Sequence, residues 1–307
     1  MEFFRNTTFD FCRHRYVAII LSLVIIVSGI ISMIAKGGLN LGVDFKGGVL
    51  LEVSFSKMPQ IDEVRSALKT INLEDSIIQQ VHGRNDLIIR IKEENITKEN
   101  KVIYEEVKQK ISKVLEEKFG KDSFGFERVE YVGPTVGKDL REKAFLATIF
   151  SCLGIIIYLS FRFEFKFGIA AIVAIAHDVL ITLTFFSFLN KEFNTTILAA
   201  VLAVIGYSVN DTIVVFDRIR ENSRLHAKKN YIWMINKSLN DTLSRMVLTG
   251  MTTFISIVIL FLLGGPVIHD FAFALMIGII TGTYSSIYIA TPVLIDWNKL
   301  ILKKKLN

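Results

Sequence analysis

Asp211 stands where a charge is costly to keep. It follows Asn210 in the stretch 206–222, Gly-Tyr-Ser-Val-Asn-Asp-Thr-Ile-Val-Val-Phe-Asp-Arg-Ile-Arg-Glu-Asn, which begins inside a long apolar run and ends in a basic segment. An ionisable group at that depth in a lipid-spanning helix costs at least ~2.5–3.5 kcal/mol, so such groups are paired, hydrated or put to use. His177 and Asp178 fall near the middle of another apolar run, 167–189, and Arg245 lies in the first turn of the run 243–263. A carboxyl beside a guanidinium keeps its charge, and one parted from it in apolar surroundings takes up a proton. A flexible arginine stem at 245 can reach inward toward Asp211. That is the chemistry of a proton carrier, whose affinity follows conformation, and Asp211, Arg245, Asn210, His177 and Asp178 are the candidate relay. Each has a plainer reading: an interfacial anchor for Arg245, a buried hydrogen-bond acceptor for Asp211, and a satisfied polar patch for His177 with Asp178. Asp217 reads as a solvated flank.

The elements that hold these residues follow from hydropathy. A mean hydropathy of +0.44 with 51% hydrophobic residues describes a polytopic membrane protein rather than two soluble domains. The net charge of +6 does not indicate nucleic-acid binding, because the Lys and Arg excess sits in short segments beside apolar runs. Apolar runs at 16–34, 144–159, 167–189, 196–216, 243–263 and 271–295 each approach the ~20 residues that cross ~30 Å of hydrocarbon. The first is too long for a cleaved signal peptide and lacks a small residue three before a cut after Ala35. On this reading Asp211 lies about five residues, roughly 8–10 Å, from the end of the fourth span.

Charge sets the orientation. Arg162 and Lys166 lie between the second and third spans, and Arg218, Arg220, Arg224, Lys228, Lys229 and Lys237 between the fourth and fifth. Lys299, Lys303, Lys304 and Lys305 end the chain, whereas the other two short loops hold Lys191 alone. The positive-inside rule then places both termini in the cytoplasm and residues 37–141 outside. The expected domains are 1–36 (tail and first helix), 37–141 (extracytoplasmic α+β domain), 142–295 (five helices with a cytoplasmic loop 217–242) and 296–307 (basic tail).

Within 37–141 the periodicities read strand, helix, two strands about a turn at 82–85, a helix from Val102, and a strand at 124–132. This βαββαβ order is that of the ferredoxin-like split motif, with one sheet face covered by helices and the other free. Asp44, next to Gly47 and Gly48, reads as a turn tying the domain to the first helix. Small residues on the fourth span (Ala199, Ala200, Ala203, Gly206) and Gly278 with Gly282 on the sixth read as close helix packing. Cys12 and Cys152 have no metal-ligand spacing and read as packing residues. There is no phosphate loop, HExxH or nucleophile elbow, so no enzyme activity, metal or cofactor is expected.

Four stretches carry a resemblance: 43–48 (Val-Asp-Phe-Lys-Gly-Gly), 132–137 (Val-Gly-Pro-Thr-Val-Gly, with Gly133 and Pro134), 208–221 and 282–288 (Gly-Thr-Tyr-Ser-Ser-Ile-Tyr). In family order and over nearly the whole chain they resemble the SecF family of the bacterial Sec machinery, within the resistance-nodulation-division superfamily. That resemblance implies half of a transporter, completed by SecD and associated with the SecYEG channel. It implies use of the proton gradient to draw exported, unfolded polypeptides outward after SecA has acted, with accessory subunits of the YajC or YidC kind and no nucleic acid. Sodium is the alternative coupling ion. The family's proposed carrier falls on Asp211 and its arginine partner on Arg245. Met246 and Gly250 stand where the resemblance leads to Thr and Ser. Two rival functions are a half-size small-molecule exporter of the same superfamily and a scaffold that only stabilises SecD and the channel.

Overall fold

The computed structural model describes residues 7–81, 84–92 and 103–306. The turn expected at His82 and Gly83, and the helix start at Val102, lie outside these residues. Among the described residues, six helices are long and apolar enough to cross a membrane, and a four-stranded antiparallel sheet stands between the first two. The chain is thus an integral membrane protein.

The first long helix is α1 (Arg15–Ala35), followed by the short α2 (Val43–Lys46). The domain then runs β1 (Gly48–Phe55), α3 (Ile61–Lys69), β2 (Ile77–Gln80), β3 (Asp86–Lys92), α4 (Ile103–Phe119) and β4 (Phe124–Val132). The strands lie in the order β2-β3-β1-β4, every neighbour antiparallel. Alternation along β1 turns Val49, Leu51, Val53 and Phe55 to one face, where they pack on Leu87, Ile89 and Ile91 of β3 and on Val64, Leu68, Ile111 and Leu115 of the two helices.

The other sheet face is not free along β3. Ile88 is buried, and Arg90 pairs at 3.2 Å with buried Glu192, in the connection between two later helices. The segment before β1 is tied to the same connection: Phe193 N–H donates to Asn40 O (2.8 Å) and Gly42 N–H to Phe193 O (2.9 Å). Asp44 therefore does not tie the domain to α1. Its carboxylate accepts from Thr195 N–H (2.9 Å) and Thr195 Oγ1 (2.6 Å), at the start of the fourth long helix. Gly47 (φ 84°) takes a left-handed conformation at the turn into β1.

The remaining helices are α5 (Pro134–Arg162), α6 (Phe165–Phe188), α7 (Thr195–Leu225), α8 (Tyr231–Leu263), α9 (Gly265–Ser285) and α10 (Thr291–Leu306). A π-helical turn, Ser286–Ala290, joins α9 to α10 without a break. The spans are longer than their apolar runs. α5 begins directly after Gly133, because Pro134 opens a helix well and Lys143 pairs with Asp139 one turn back. Gly137 lets its first turn approach the backbone at Phe45 and Gly47: a Cβ there would lie 3.0 Å from Gly47 N.

The expected loop 217–242 is not a loop. α7 and α8 continue through it and leave only 226–230 as the connector. The polar residues are bonded across the two helices. Arg218 pairs with Asp241 at 2.8 Å and with Glu221 at 2.7 Å, and Asn222 Nδ2 donates to Ser238 Oγ at 2.9 Å. Ser238 and Thr242 return their hydroxyls to carbonyls of their own helix. Arg245 consequently lies fourteen residues inside α8, not in its first turn, and the end of α7 is no gauge of the depth of Asp211. The basic tail is likewise helical, through Leu306.

Gly278 and Gly282 pack α9 against α7 at Val204 and Ser208. Of the small residues on α7, only Ala200 is buried; Ala199, Ala203 and Gly206 face out of the bundle. A Cβ at Gly278 would overlap the Val204 side chain. Gly278→Leu should therefore destabilise the detergent-solubilised protein by about 1–3 kcal/mol, read as a lowered unfolding midpoint, with Gly278→Ala falling between it and the wild type.

Candidate functional site

The polar residues inside the bundle separate into two groups with opposite hydrogen-bond supply. The first centres on α6, where His177 and Asp178 are buried among α1, α7 and α9. Asp178 Oδ2 accepts from Ser208 Oγ (2.6 Å) and Ser285 Oγ (2.8 Å), and Oδ1 lies 2.9 Å from His177 Nδ1. His177 Nε2 is 3.0 Å from Ser22 Oγ, which is 3.0 Å from the Tyr284 hydroxyl; that hydroxyl donates to Ala18 O at 2.8 Å.

Every polar atom of the His177 and Asp178 side chains has a partner within hydrogen-bond distance. A fully bonded polar cluster is one that an apolar interior tolerates.

The second group centres on Asp211 of α7, 2% exposed. Its one hydrogen bond among the described residues comes from Thr283 Oγ1 of α9, at 3.2 Å to Oδ2. Among the described residues no cation lies within ion-pairing distance. Arg245, on α8, is exposed on the bundle surface and makes no ion pair or side-chain hydrogen bond among the described residues. Asn210 is next to Asp211 in sequence but about 100° round the helix, and it faces outward with Ala199, Ala203 and Gly206. The five candidate relay residues thus do not form one cluster. His177 and Asp178 are together, Asp211 stands apart with Thr283, and Asn210 and Arg245 look out of the bundle.

Around Thr283 the surroundings are apolar. A groove of about 370 Å³ between α8 and α9 is lined by Met246, Gly250, Phe254, Ile279 and Thr283. A Cβ at Gly250 would lie 3.4 Å from Thr283 Oγ1, in ordinary van der Waals contact. Ser22, Ser208, Thr283, Tyr284 and Ser285 are hydrogen-bond partners to which the sequence reading gives no role, although all but Ser22 fall in the stretches 208–221 and 282–288. Lone hydroxyls are common in membrane helices, where they bond their own backbone; the one usable signal is their concentration in 282–288. The π turn begins at Ser286, whose Oγ lies 2.8 Å from Thr212 Oγ1, next to Asp211. The motif residues Asp44, Gly47, Gly48, Gly133 and Pro134 lie at the junction of the sheet domain with α5 and α7, away from this core.

Comparison with known proteins gives consistent matches. Residues 98–300 match the family described as protein export membrane protein SecD/SecF, C-terminal, and residues 32–57 match the SecD/SecF GG motif. Among curated proteins, the protein translocase subunit SecF of Desulfurispirillum indicum is 42% identical over 97% of this chain and 94% of its own length. That of Calditerrivibrio nitroreducens is 42% identical over 95% of each. The crystal structure of SecDF, a translocon-associated membrane protein from Thermus thermophilus, superposes with a TM-score of 0.82 at 32% identity; it covers 96% of this chain, which spans 39% of that longer polypeptide. SecDF in a super-membrane-facing form gives 0.73 at 31% identity, over 99% of this chain and 40% of that one.

The two carboxyls should answer differently to substitution. Asp178→Ala strands His177 and two serines in the interior and should cost ~3 kcal/mol or more. Asp211→Asn keeps an acceptor for Thr283 and should leave the unfolding midpoint in detergent nearly unchanged.

Proposed function

The chain belongs to the SecD/SecF family of protein export membrane proteins, and from that premise we propose that it works as the SecF-type subunit of a Sec translocase, with Asp211 as its proton carrier. In this reading the chain partners a SecD protein and the SecYEG channel, with YajC- or YidC-like subunits as accessories. It spends the proton gradient to promote outward movement of unfolded polypeptides. It catalyses no covalent chemistry and needs no cofactor.

The observation that carries the reading is the poor supply of Asp211. Asp178 has three polar partners, whereas Asp211 has one long hydrogen bond and no ion pair among the described residues. A carboxyl so placed is neutral when isolated and ionises when a cation or water arrives, so its proton occupancy follows the packing of its neighbours. Arg245 is the cation for that role. Swinging its side chain from the bundle surface toward Thr283 would pair it with Asp211 and release the proton. His177 and Asp178 act in this scheme as a hydrogen-bonded weld between α1, α6, α7 and α9, against which α8 moves.

The partner is inferred from what the surface exposes. Asn210 and Arg245 are exposed within membrane-length helices, Asn210 on the strip formed by Ala199, Ala203 and Gly206. Hydrocarbon leaves such groups unsatisfied, while a second bundle closely packed on the small residues can bond them. The 39% share of the SecDF chain fits half of such an assembly.

The βαββαβ order and the strand order β2-β3-β1-β4 support reading the domain as ferredoxin-like. Basic residues gather at the bundle end opposite the domain, supporting cytoplasmic termini and an extracytoplasmic domain in the cytoplasmic membrane. One charge moved across the membrane gains ~2.3 kcal/mol per 100 mV, so several protons are used to move a long chain.

Asp211→Asn should insert and assemble with its partners, yet lose the gradient-dependent part of export in membrane vesicles. Arg245→Ala should do the same, and Asp211→Glu should retain part of it. Full gradient-dependent export by Asp211→Asn would reduce the chain to a scaffold. A proton-flux measurement in reconstituted vesicles, with and without sodium, separates the two coupling ions.

A further inference from the structure

The sheet has two outer edges, and they are built differently. β4 carries Glu127, Arg128 and Glu130, and its pairing with β1 is interrupted by a register shift at Glu52/Val53. β2 reads Ile-Ile-Gln-Gln, with no charge, no proline and no register shift against β3. Charges, prolines and bulges are the usual means by which an edge strand avoids pairing with another chain, and β2 has none of them.

The open bonds of β2 can be assigned. Val81 N–H donates to Asp86 O at 2.9 Å, and the register runs from Gln80 opposite Leu87 to Ile77 opposite Arg90. Bonded and non-bonded pairs alternate in an antiparallel ladder, so Gln79 and Ile77 bond to β3 while Gln80 and Ile78 turn N–H and C=O outward. No group among the described residues takes them up.

Beside β2 runs a groove of about 640 Å³, with Ile77, Gln79 and Gln80 on one wall. The ends of α6 and α8 form the facing wall through Leu189, Phe261 and Leu262. The Lys191–Asp270 pair, 2.5 Å apart, lies at the same end of the bundle and lines the groove.

We propose that β2 and this groove are a docking site for an extended polypeptide, which adds to the sheet as a fifth strand. The occupant is the exported chain itself, so the inference rests on the export reading above. Main-chain pairing is indifferent to side-chain identity, which suits a clientele of unrelated sequences, while the facing wall offers apolar (Leu189, Phe261, Leu262) and polar (Lys191, His269, Asp270) surface to whatever side chains face it. Four residues of strand, ~13 Å long, make a hold that lets go. A permanent subunit interface buries on the order of 1,200–2,000 Å², far more than this edge offers.

The test uses the full chain assembled with its natural partners in membranes, with an export substrate arrested during translocation. A photo-crosslinking residue at Leu262, on the facing wall, should capture the arrested chain several-fold better than one at Glu127 on the β4 edge. Gln80→Pro removes an outward amide without touching a ladder bond and should abolish the Leu262 adduct. Gln80→Lys, a change at an exposed site, should do the same and serves if the proline variant fails to accumulate. Adducts at Leu262 only with another membrane subunit, or adducts indifferent to both variants, overturn the proposal. Gradient-dependent export compared with Asp211→Asn in the same membranes keeps the two readings apart. Lost adducts with intact Asp211 dependence defeat only the docking site, and persistent adducts without that dependence defeat only the carrier.

Discussion

Hydrocarbon offers no hydrogen bonds, and the architecture follows from how each polar group inside the bundle copes with that. Most are matched locally: hydroxyls of Ser238, Thr242, Thr249 and Thr253 bond carbonyls one turn back on α8. His177 and Asp178 are matched at long range, by hydroxyls from α1, α7 and α9, and in being matched they fasten those helices together. Asp211 is the buried carboxyl of the bundle left, among the described residues, with a single long hydrogen bond.

The same economy governs the junction between domain and bundle. Asp44 supplies an acceptor to the first turn of α7, where backbone N–H groups have no helical partner. Arg90 reaches from the sheet to Glu192, and Gly42 and Asn40 bond the backbone of Phe193. The start of α7 and the connection before it are thus linked to the sheet domain by two main-chain bonds and by the side chains of Asp44 and Arg90. Asp211 lies on the same helix sixteen residues further on, a continuous rod of ~24 Å.

Much of this was legible in the sequence, for physical reasons. Six apolar runs declare six helices, because length and hydropathy are what a bilayer selects. Asp211 and the His177–Asp178 pair were conspicuous because charge in such runs is rare. The helix ends were not legible: α7 and α8 continue past their apolar runs because Arg218, Asn222, Ser238 and Asp241 satisfy one another across the pair, and that needs both helices in view. The cluster around Asp178 was hidden for a similar reason, since nothing local marks Ser22 or Ser208 as its partners. The outward strip on α7 looked like internal packing, because spacing shows which residues share a face but not which way the face points. Asp44 was correctly seen as a tie and attached to the wrong helix, as its true partner is some 150 residues away.

The π turn at Ser286–Ala290 carries a mechanical consequence. One surplus residue in a turn advances everything after it by about 100° relative to an unbroken α-helix, so α10 presents its flanks in a phase of its own. Such a defect can migrate along a rod by exchanging one carbonyl acceptor for the next, and each exchange twists the stretch it passes without exposing a peptide group to lipid. Thr283 and Ser285 lie just upstream of it, and Ser286 opens it. The sixth span thus changes its helical phase right beside the carboxyls whose hydroxyl partners it supplies.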